Sequence, residues 1–166
     1  FPWSAFSRAR LFQFDANYRW LIGHGLPEVL RMEACASRAP WGEDHYRWAM
    51  KQTDAGGLVV ERWGDLSLAA VMVSRLFEDR FRISRLVVHP FCQRGGVGTA
   101  CVRLLMGRLN AERRMIDVPV PERDAGLQCL LRSLGFRHWS TTPARDRSEG
   151  DVYCSVIDGG GEGKLR

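Results

Sequence analysis

No apolar run in this 166-residue chain approaches the roughly 18 residues a membrane-spanning helix requires. The longest candidate, Leu66–Ser74, is short and flanked by charge, so no membrane association is expected. No secretory signal is visible. The first residue is Phe1 rather than Met, so the native start is expected to be missing or trimmed. Closely spaced cysteines are also lacking. The five, Cys35, Cys92, Cys101, Cys129 and Cys154, are odd in number and contain no Cys-x-x-Cys pair. That argues against a disulfide framework and a zinc site, and for reduced thiols in a cytoplasmic protein, mostly packed as small apolar groups. No metal is expected. Lysine is scarce, because almost all of the 24 cations are arginine; against 19 carboxylates they leave a net charge of +5. A mild basic excess suits anionic ligands. The arginines are scattered and no nucleic-acid motif accompanies them, so a basic nucleic-acid-binding domain is the least favoured reading.

What is present is enough apolar material, 45% of residues, for one packed domain. Phe1–Asn17 is aromatic and basic without a clear period and reads as an N-terminal extension. Asp158–Arg166 is glycine-rich and reads as a flexible tail. Between them the pattern predicts a strand over Tyr18–Ile22, helices over Leu26–Ala36 and Glu43–Gln52, and strands over Gly57–Trp63, Leu66–Leu76 and Phe81–His89. Gly64-Asp65 is a hairpin signal between the first two of these. A helix follows Gly98's segment, with Val97, Cys101, Leu104, Leu105 and Leu109 on one apolar face. Met115–Val120 reads as a strand. Asp124 is a good N-cap for a helix whose buried stripe is Leu127, Leu130, Leu131 and Leu134, closed by Gly135. Phe136–Thr141 and Val152–Ile157 read as closing strands, joined by the charged loop Pro143–Gly150. The order is that of an α/β domain with a mixed central sheet of about six to seven strands and four flanking helices.

The most informative stretch is Leu86-Val87-Val88-His89-Pro90 followed by Gln93-Arg94-Gly95-Gly96-Val97-Gly98-Thr99. A strand ends, a turn rich in glycine and arginine follows, and a helix begins. The first helical turn has N–H groups without intrahelical partners and carries the positive end of the helix dipole. Glycines let a phosphate approach the backbone, so a diphosphate fits there, and Arg94 can add a charged contact. A tight strand-to-helix connection with no ligand explains the same residues. It is not a Walker loop, since no Gly-Lys-Ser/Thr follows. Nor is it the dinucleotide fingerprint, since the preceding strands are hairpin-linked.

These residues resemble the GNAT superfamily of acyl-CoA transferases. Gln93-x-x-Gly96-x-Gly98 is similar to its Arg/Gln-x-x-Gly-x-Gly/Ala loop, Val88-His89-Pro90 to its strand end, and Leu134-Gly135-Phe136 to a second hallmark. Ala39-Pro40-Trp41-Gly42-Glu43 resembles the Phe-Pro-Trp-Ser-Glu segment of bacterial ribosomal-protein-alanine N-acetyltransferases. The similarity runs over Tyr18–Ile157, the extent of a GNAT domain. It implies acetyl-CoA as co-substrate and a primary amine, from a peptide N-terminus or a small molecule, as acceptor. It also implies that backbone groups of Leu86, Val87 and Val88 pair with the pantetheine arm. Gln93, Arg94, Gly95, Gly96, Val97, Gly98 and Thr99 would hold the diphosphate, and Asp124 stands where the family has an Asn on the cofactor arm.

Acetyl transfer to an amine needs a base for the ammonium and an acid for the departing thiolate. In the resemblance, Pro119 stands at the usual base position and Leu131 at the usual tyrosine position, and neither side chain moves a proton. Glu122 and Tyr153 are the substitute candidates, beside His89 and Cys129. Each also has a bland reading: an exposed loop carboxylate, an aromatic packed in the sheet, a turn residue and a packed thiol. Catalysis by positioning alone and a degenerate acyl-CoA-binding module remain alternatives. Trp20, Trp41 and Trp48 are expected near the acceptor, as an aromatic wall or as packing residues.

Overall fold

The computed structural model describes residues 9–10, 15–62, 64–121, 123–141 and 151–156; at 9–10, 15, 140–141 and 151–156 it describes the backbone alone. Most of Phe1–Asn17, the loop Pro143–Gly150 and the tail Asp158–Arg166 lie outside the described residues. The described chain forms two compact units. No helix in it is long and apolar enough to cross a membrane.

The first unit comprises residues 1–75 and 83–103. It holds β1 (Ala9–Arg10), β2 (Asp15–Trp20), α1 (Leu26–Ala36), α2 (Glu43–Lys51), β3 (Ala55–Arg62), β4 (Leu68–Leu76, all but its last residue), most of β5 (Arg80–Val88) and the start of α3 (Val97–Met106). Its strands follow the order β1-β2-β3-β4-β5. β2 begins three residues before the expected Tyr18, because Ala16 and Asn17 find antiparallel partners in Arg62 and Glu61 of β3. The β3–β4 hairpin is wider than a two-residue turn. Arg62 N–H donates to Ser67 O at 2.9 Å, and Gly64 (φ 110°) and Leu66 (φ 55°) both take the left-handed conformation.

α1 has the bounds read from the sequence, with Pro27 in a first turn where its missing N–H is no loss. Leu26, Val29 and Met32 recur at helical spacing. They meet Tyr46 and Ala49 of α2, Val59 of β3, Val71 and Val73 of β4 and Val87 of β5 in one apolar cluster. Each such side chain contributes roughly 1.5–3 kcal/mol by leaving water.

The second unit comprises residues 76–82 and 104–166. It contains the start of β5, the end of α3, β6 (Met115–Val120), α4 (Ala125–Ser133), β7 (Arg137–Thr141) and β8 (Asp151–Val156), in the strand order β5-β6-β8-β7. The mixed character of the sheet arises here. β6 is parallel to β5 over three residue pairs, Arg80–Arg82 against Met115–Asp117, and antiparallel to β8 along its whole length. The β5 ladder stops two residues before Pro119, whose missing N–H removes nothing from it. Gly135, at φ 85°, ends α4 as a left-handed residue.

Two helical stripes differ in phase from the sequence reading. α3 ends at Met106, so Leu109 falls beyond it. Val102 is buried while Leu104 is half-buried. In α4 only Leu131 is fully buried; Leu127, Leu130 and Leu134 are half-buried.

Candidate functional site

β5 ends with Val87 buried and Leu86 and Val88 half-buried. Its exit is anchored by His89 N–H, which donates to Ala69 O at 2.8 Å. Pro90 then opens a single 3-10 turn, Pro90–Cys92. His89 serves that turn: its Nδ1 accepts from Phe91 N–H at 3.2 Å, and its ring stacks on Phe91 with centroids 5.4 Å apart. Gln93 is extended. Its side-chain amide turns back to donate to Val88 O at 3.2 Å, and its backbone N–H donates to Pro90 O. Gln93 therefore braces the turn through both donor groups.

Arg94 follows at φ 59° and Gly96 at φ 81°. A left-handed non-glycine residue is uncommon; here Arg94 and Gly96, with one residue between them, turn the chain between the 3-10 turn and α3. Ala100 N–H makes the first bond of the helix, to Gly96 O at 2.9 Å. The amides of Gly96, Val97, Gly98 and Thr99 precede it and have no backbone acceptor among the described residues. Gly95 and Gly98 are buried and Arg94 is exposed. Beneath the turn lie Val97 and Cys101, the latter with its thiol pKa pushed up to about 12 by burial. Donor-rich backbone, glycine and an exposed guanidinium fit a diphosphate, and the residues expected to hold one from Arg94 to Thr99 share this one turn.

The other candidates belong to the second unit. Asp124 is the N-cap of α4, its Oδ1 accepting from Leu127 N–H at 3.0 Å. Glu122 lies outside the described residues. Tyr153 is placed by its backbone only, opposite Val118 of β6 and His138 of β7. Pro119 is half-buried opposite Val152, and Leu131 is fully buried. Cys129, expected to be packed, is exposed, as is Cys35; Cys92 and Cys101 are buried, and all four described thiols are free. Position on the solvent side of α4 explains the difference at Cys129.

Sequence reasoning missed the three buried carboxylates among the described residues, Glu33, Asp117 and Glu61, the last of which accepts from Asn17 Nδ2 at 3.2 Å and pairs with Arg19 of β2. Glu33, on the buried stripe of α1 seven residues after Leu26, is completely inaccessible. It accepts from Tyr46 Oη–H at 2.6 Å, from Trp41 N–H at 3.3 Å and from Arg85 of β5 through Nε at 2.8 Å and through Nη2. Burial lowers the Arg85 pKa, but the hydrogen bond and charge of Glu33 outweigh it and the net shift is upward. Tyr46 is pushed up by burial and then by Glu33. The second carboxylate, Asp117 of β6, is buried and accepts from Arg82 twice at Oδ2, through Nε at 2.7 Å and through Nη2. The signal for Glu33 was a charged residue at a buried phase of an apolar period; Asp117 gave none, since it lies on the strand face opposite Ile116, Val118 and Val120. Of the tryptophans, Trp20 and Trp41 are half-buried and Trp48 is exposed.

A model of the acetyltransferase (GNAT) family matches residues 26–136, and no curated protein matches the chain. Among solved structures, the ribosomal-protein-S18-alanine N-acetyltransferase of Escherichia coli is similar at a TM-score of 0.73 and 20% identity, over 91% of this chain and 99% of that one. NAA60 of Arabidopsis thaliana, solved with a bisubstrate analogue, is similar at 0.68 and 12%, over 87% and 99%. A GNAT family acetyltransferase of Elizabethkingia anophelis, solved with acetyl-CoA bound, is similar at 0.64 and 10%, over 86% and 98%. At these identities the likeness is one of fold.

Proposed function

Because the chain belongs to the acetyltransferase (GNAT) family, we propose that it transfers an acetyl group from acetyl-CoA to a primary amine, with a protein N-terminus as the foremost acceptor. The observation that carries the reading is the turn Gln93–Thr99, where two left-handed residues gather open amides at the start of α3. In this reading the amides from Arg94 to Thr99 receive the diphosphate, with Arg94 adding charge. Gln93 supports the turn from behind. Leu86, Val87 and Val88 offer backbone groups to the pantetheine arm; the Val88 carbonyl accepts from Gln93 and keeps a second lone pair. Asp124 caps α4 and is the residue that the resemblance assigns to the cofactor arm. The thioester carbon is attacked by the neutral amine, the C–S bond breaks, the amine loses a proton and the departing sulfur gains one. Glu122 and Tyr153 are the groups proposed to move those protons. Free thiols at Cys35, Cys92, Cys101 and Cys129 suit a cytoplasmic setting.

A second reading has its own support. Pro119 and Leu131 occupy the positions where the resemblance expects proton-transferring groups, which favours a module that binds acyl-CoA without turnover. Titration with acetyl-CoA, followed by thiol release over a panel of peptide N-termini and small amines, separates the two. Release for any acceptor supports the enzyme, and binding without release supports the module. Gly96→Glu adds a carboxylate at the turn and, at φ 81°, strains its backbone; it should weaken acetyl-CoA binding at least about a hundredfold, with a circular dichroism spectrum like the parent's. Unchanged affinity would remove the diphosphate from this turn. Full activity in both Glu122→Gln and Tyr153→Phe would remove those residues from the chemistry.

A further inference from the structure

We propose that Arg85 is a specificity-determining residue, whose guanidinium binds the oxygen next to the acceptor's amine and so selects α-amino carbonyl compounds, such as peptide N-termini, over simple alkyl amines. The inference rests on the acetyltransferase reading above and names the acceptor class for it.

Arg85 stands on the face of β5 that also carries Phe81, Ile83 and Val87, all of them buried. An apolar side chain is the ordinary occupant of such a position, and a buried ion pair can usually be replaced by packed apolar residues without loss of stability. The arginine is nonetheless immobilised there. Nε and Nη2 engage both oxygens of Glu33, and Nη2 also donates to Ser37 Oγ at 2.9 Å and Ala39 O at 3.2 Å. Glu33 is itself saturated by Tyr46 and Trp41. These bonds hold the segment from Ser37 to Trp41 against β5, and they use only one edge of the guanidinium.

Nη1, with two N–H groups, makes no hydrogen bond among the described residues. The side chain keeps 14% of its surface open. The guanidinium carbon lies 5.6 Å from the Trp41 ring centroid, so the group is flanked by an aromatic face. A planar cation locked in one rotamer, with a donor pair uncommitted, suits a carbonyl or carboxylate oxygen. Glu33 neutralises the cation, so an amine beside it is not repelled. Along β5, Arg85 immediately precedes Leu86–Val88, the backbone proposed for the acyl-CoA arm. An oxygen held at Arg85 therefore lies within one side chain's reach of that strand segment, and in an α-amino carbonyl compound only one carbon separates the amine from the carbonyl.

Alaninamide and isopropylamine test this, since the amide of the first replaces a methyl of the second. Arg85→Lys keeps a cation for Glu33 and loses the fork. It should lower the ratio of kcat/KM for alaninamide over isopropylamine by about tenfold or more, with acetyl-CoA affinity retained. The double variant Glu33→Gln/Arg85→Met, which leaves no buried charge behind, should show the same loss. A ratio unchanged within about twofold in a folded variant overturns the inference and leaves the acetyltransferase reading standing. If the parent protein releases thiol with no acceptor, the enzyme reading fails instead. Binding of an alanine-initiated peptide to the CoA-loaded protein then decides the inference. Peptide binding lost in Arg85→Lys supports it; equal binding in both proteins, or none in the parent, overturns it.

Discussion

Arg82 donates twice to one oxygen of Asp117, and the other oxygen, Oδ1, is buried with no partner among the described residues. The pair is lopsided, since the Arg82 side chain is 41% exposed while that of Asp117 is 2% exposed. Removing the cation strands a buried carboxylate, which costs about 3–5 kcal/mol for a fully buried pair and falls at the low end here because water reaches Arg82. Asp117→Asn returns a half-exposed arginine to solvent and leaves a neutral amide in place of a buried charge, and an unpartnered neutral group costs less than an unpartnered charge. Arg82→Met is therefore expected to lower the urea midpoint clearly more than Asp117→Asn, as read by circular dichroism. Equal effects would mean that desolvation of Asp117 is not what the arginine offsets. Neither this pair nor the Glu33–Arg85 pair was legible in the sequence. The partners are 35 and 52 residues apart, and nothing local specifies a register between β5 and β6 or the crossing of α1 over β5. The turn Gln93–Thr99 was legible because its information is local: glycine, arginine and a strand end within a few residues. Its two left-handed positions fall at Arg94 and Gly96, and only the second was announced by its residue type.

At the scale of elements, close approach dictates residue choice. β3 begins Ala55-Gly56-Gly57, a poor strand opening by propensity, yet Gly57 O accepts from Leu21 N–H at 2.8 Å just beyond β2. A Cβ built on Gly57 would lie 2.8 Å from the Leu21 Cβ. That contact involves the root of the side chain, so no rotamer change relieves it, and the backbone after β2 must shift. Gly57→Ala should destabilise the protein by about 1–3 kcal/mol. Gly23→Ala, where a new Cβ meets nothing within 4 Å, should be near neutral in the same thermal melt. A Gly57→Ala melt matching the Gly23→Ala melt would show that β2 and β3 do not meet this closely. The pairing that sets this contact also accounts for the shifted start of β2. Asp15–Asn17 have no strand signature of their own and become strand because β1 and β3 supply partners. α1, by contrast, announced both ends, through Pro27 in its first turn and a regular apolar stripe.

At the scale of the whole molecule, the ionisable groups that the fold keeps neutral are concentrated, among the described residues, in the first unit. Burial raises the Tyr18 phenol to about 12, with the neighbouring Cys101 adding to it, and raises the Cys101 thiol to about 12. Tyr46 is raised as well, by burial and then by Glu33. A group whose folded pKa lies above its unfolded value contributes stability that is complete below the unfolded pKa. That contribution is lost as pH rises through the folded one. The unfolded chain would release these protons at about 8.5 for the thiol and about 10 for the phenols. The contribution of these groups should therefore be level below about pH 8.5 and fall steadily from there toward about pH 12, because above the unfolded values the folded state binds more protons than the unfolded state. Removing one group isolates its share. Cys101→Ala takes away one of two thiols that burial raises, the other being Cys92, so the fall above about pH 8.5 should be shallower in that variant, at the expense of a small cavity that lowers stability equally at every pH. Urea midpoints measured from pH 7 to 11 on the parent and on Cys101→Ala would show it. Parallel curves over the whole range would mean that the Cys101 thiol is not held neutral by the fold.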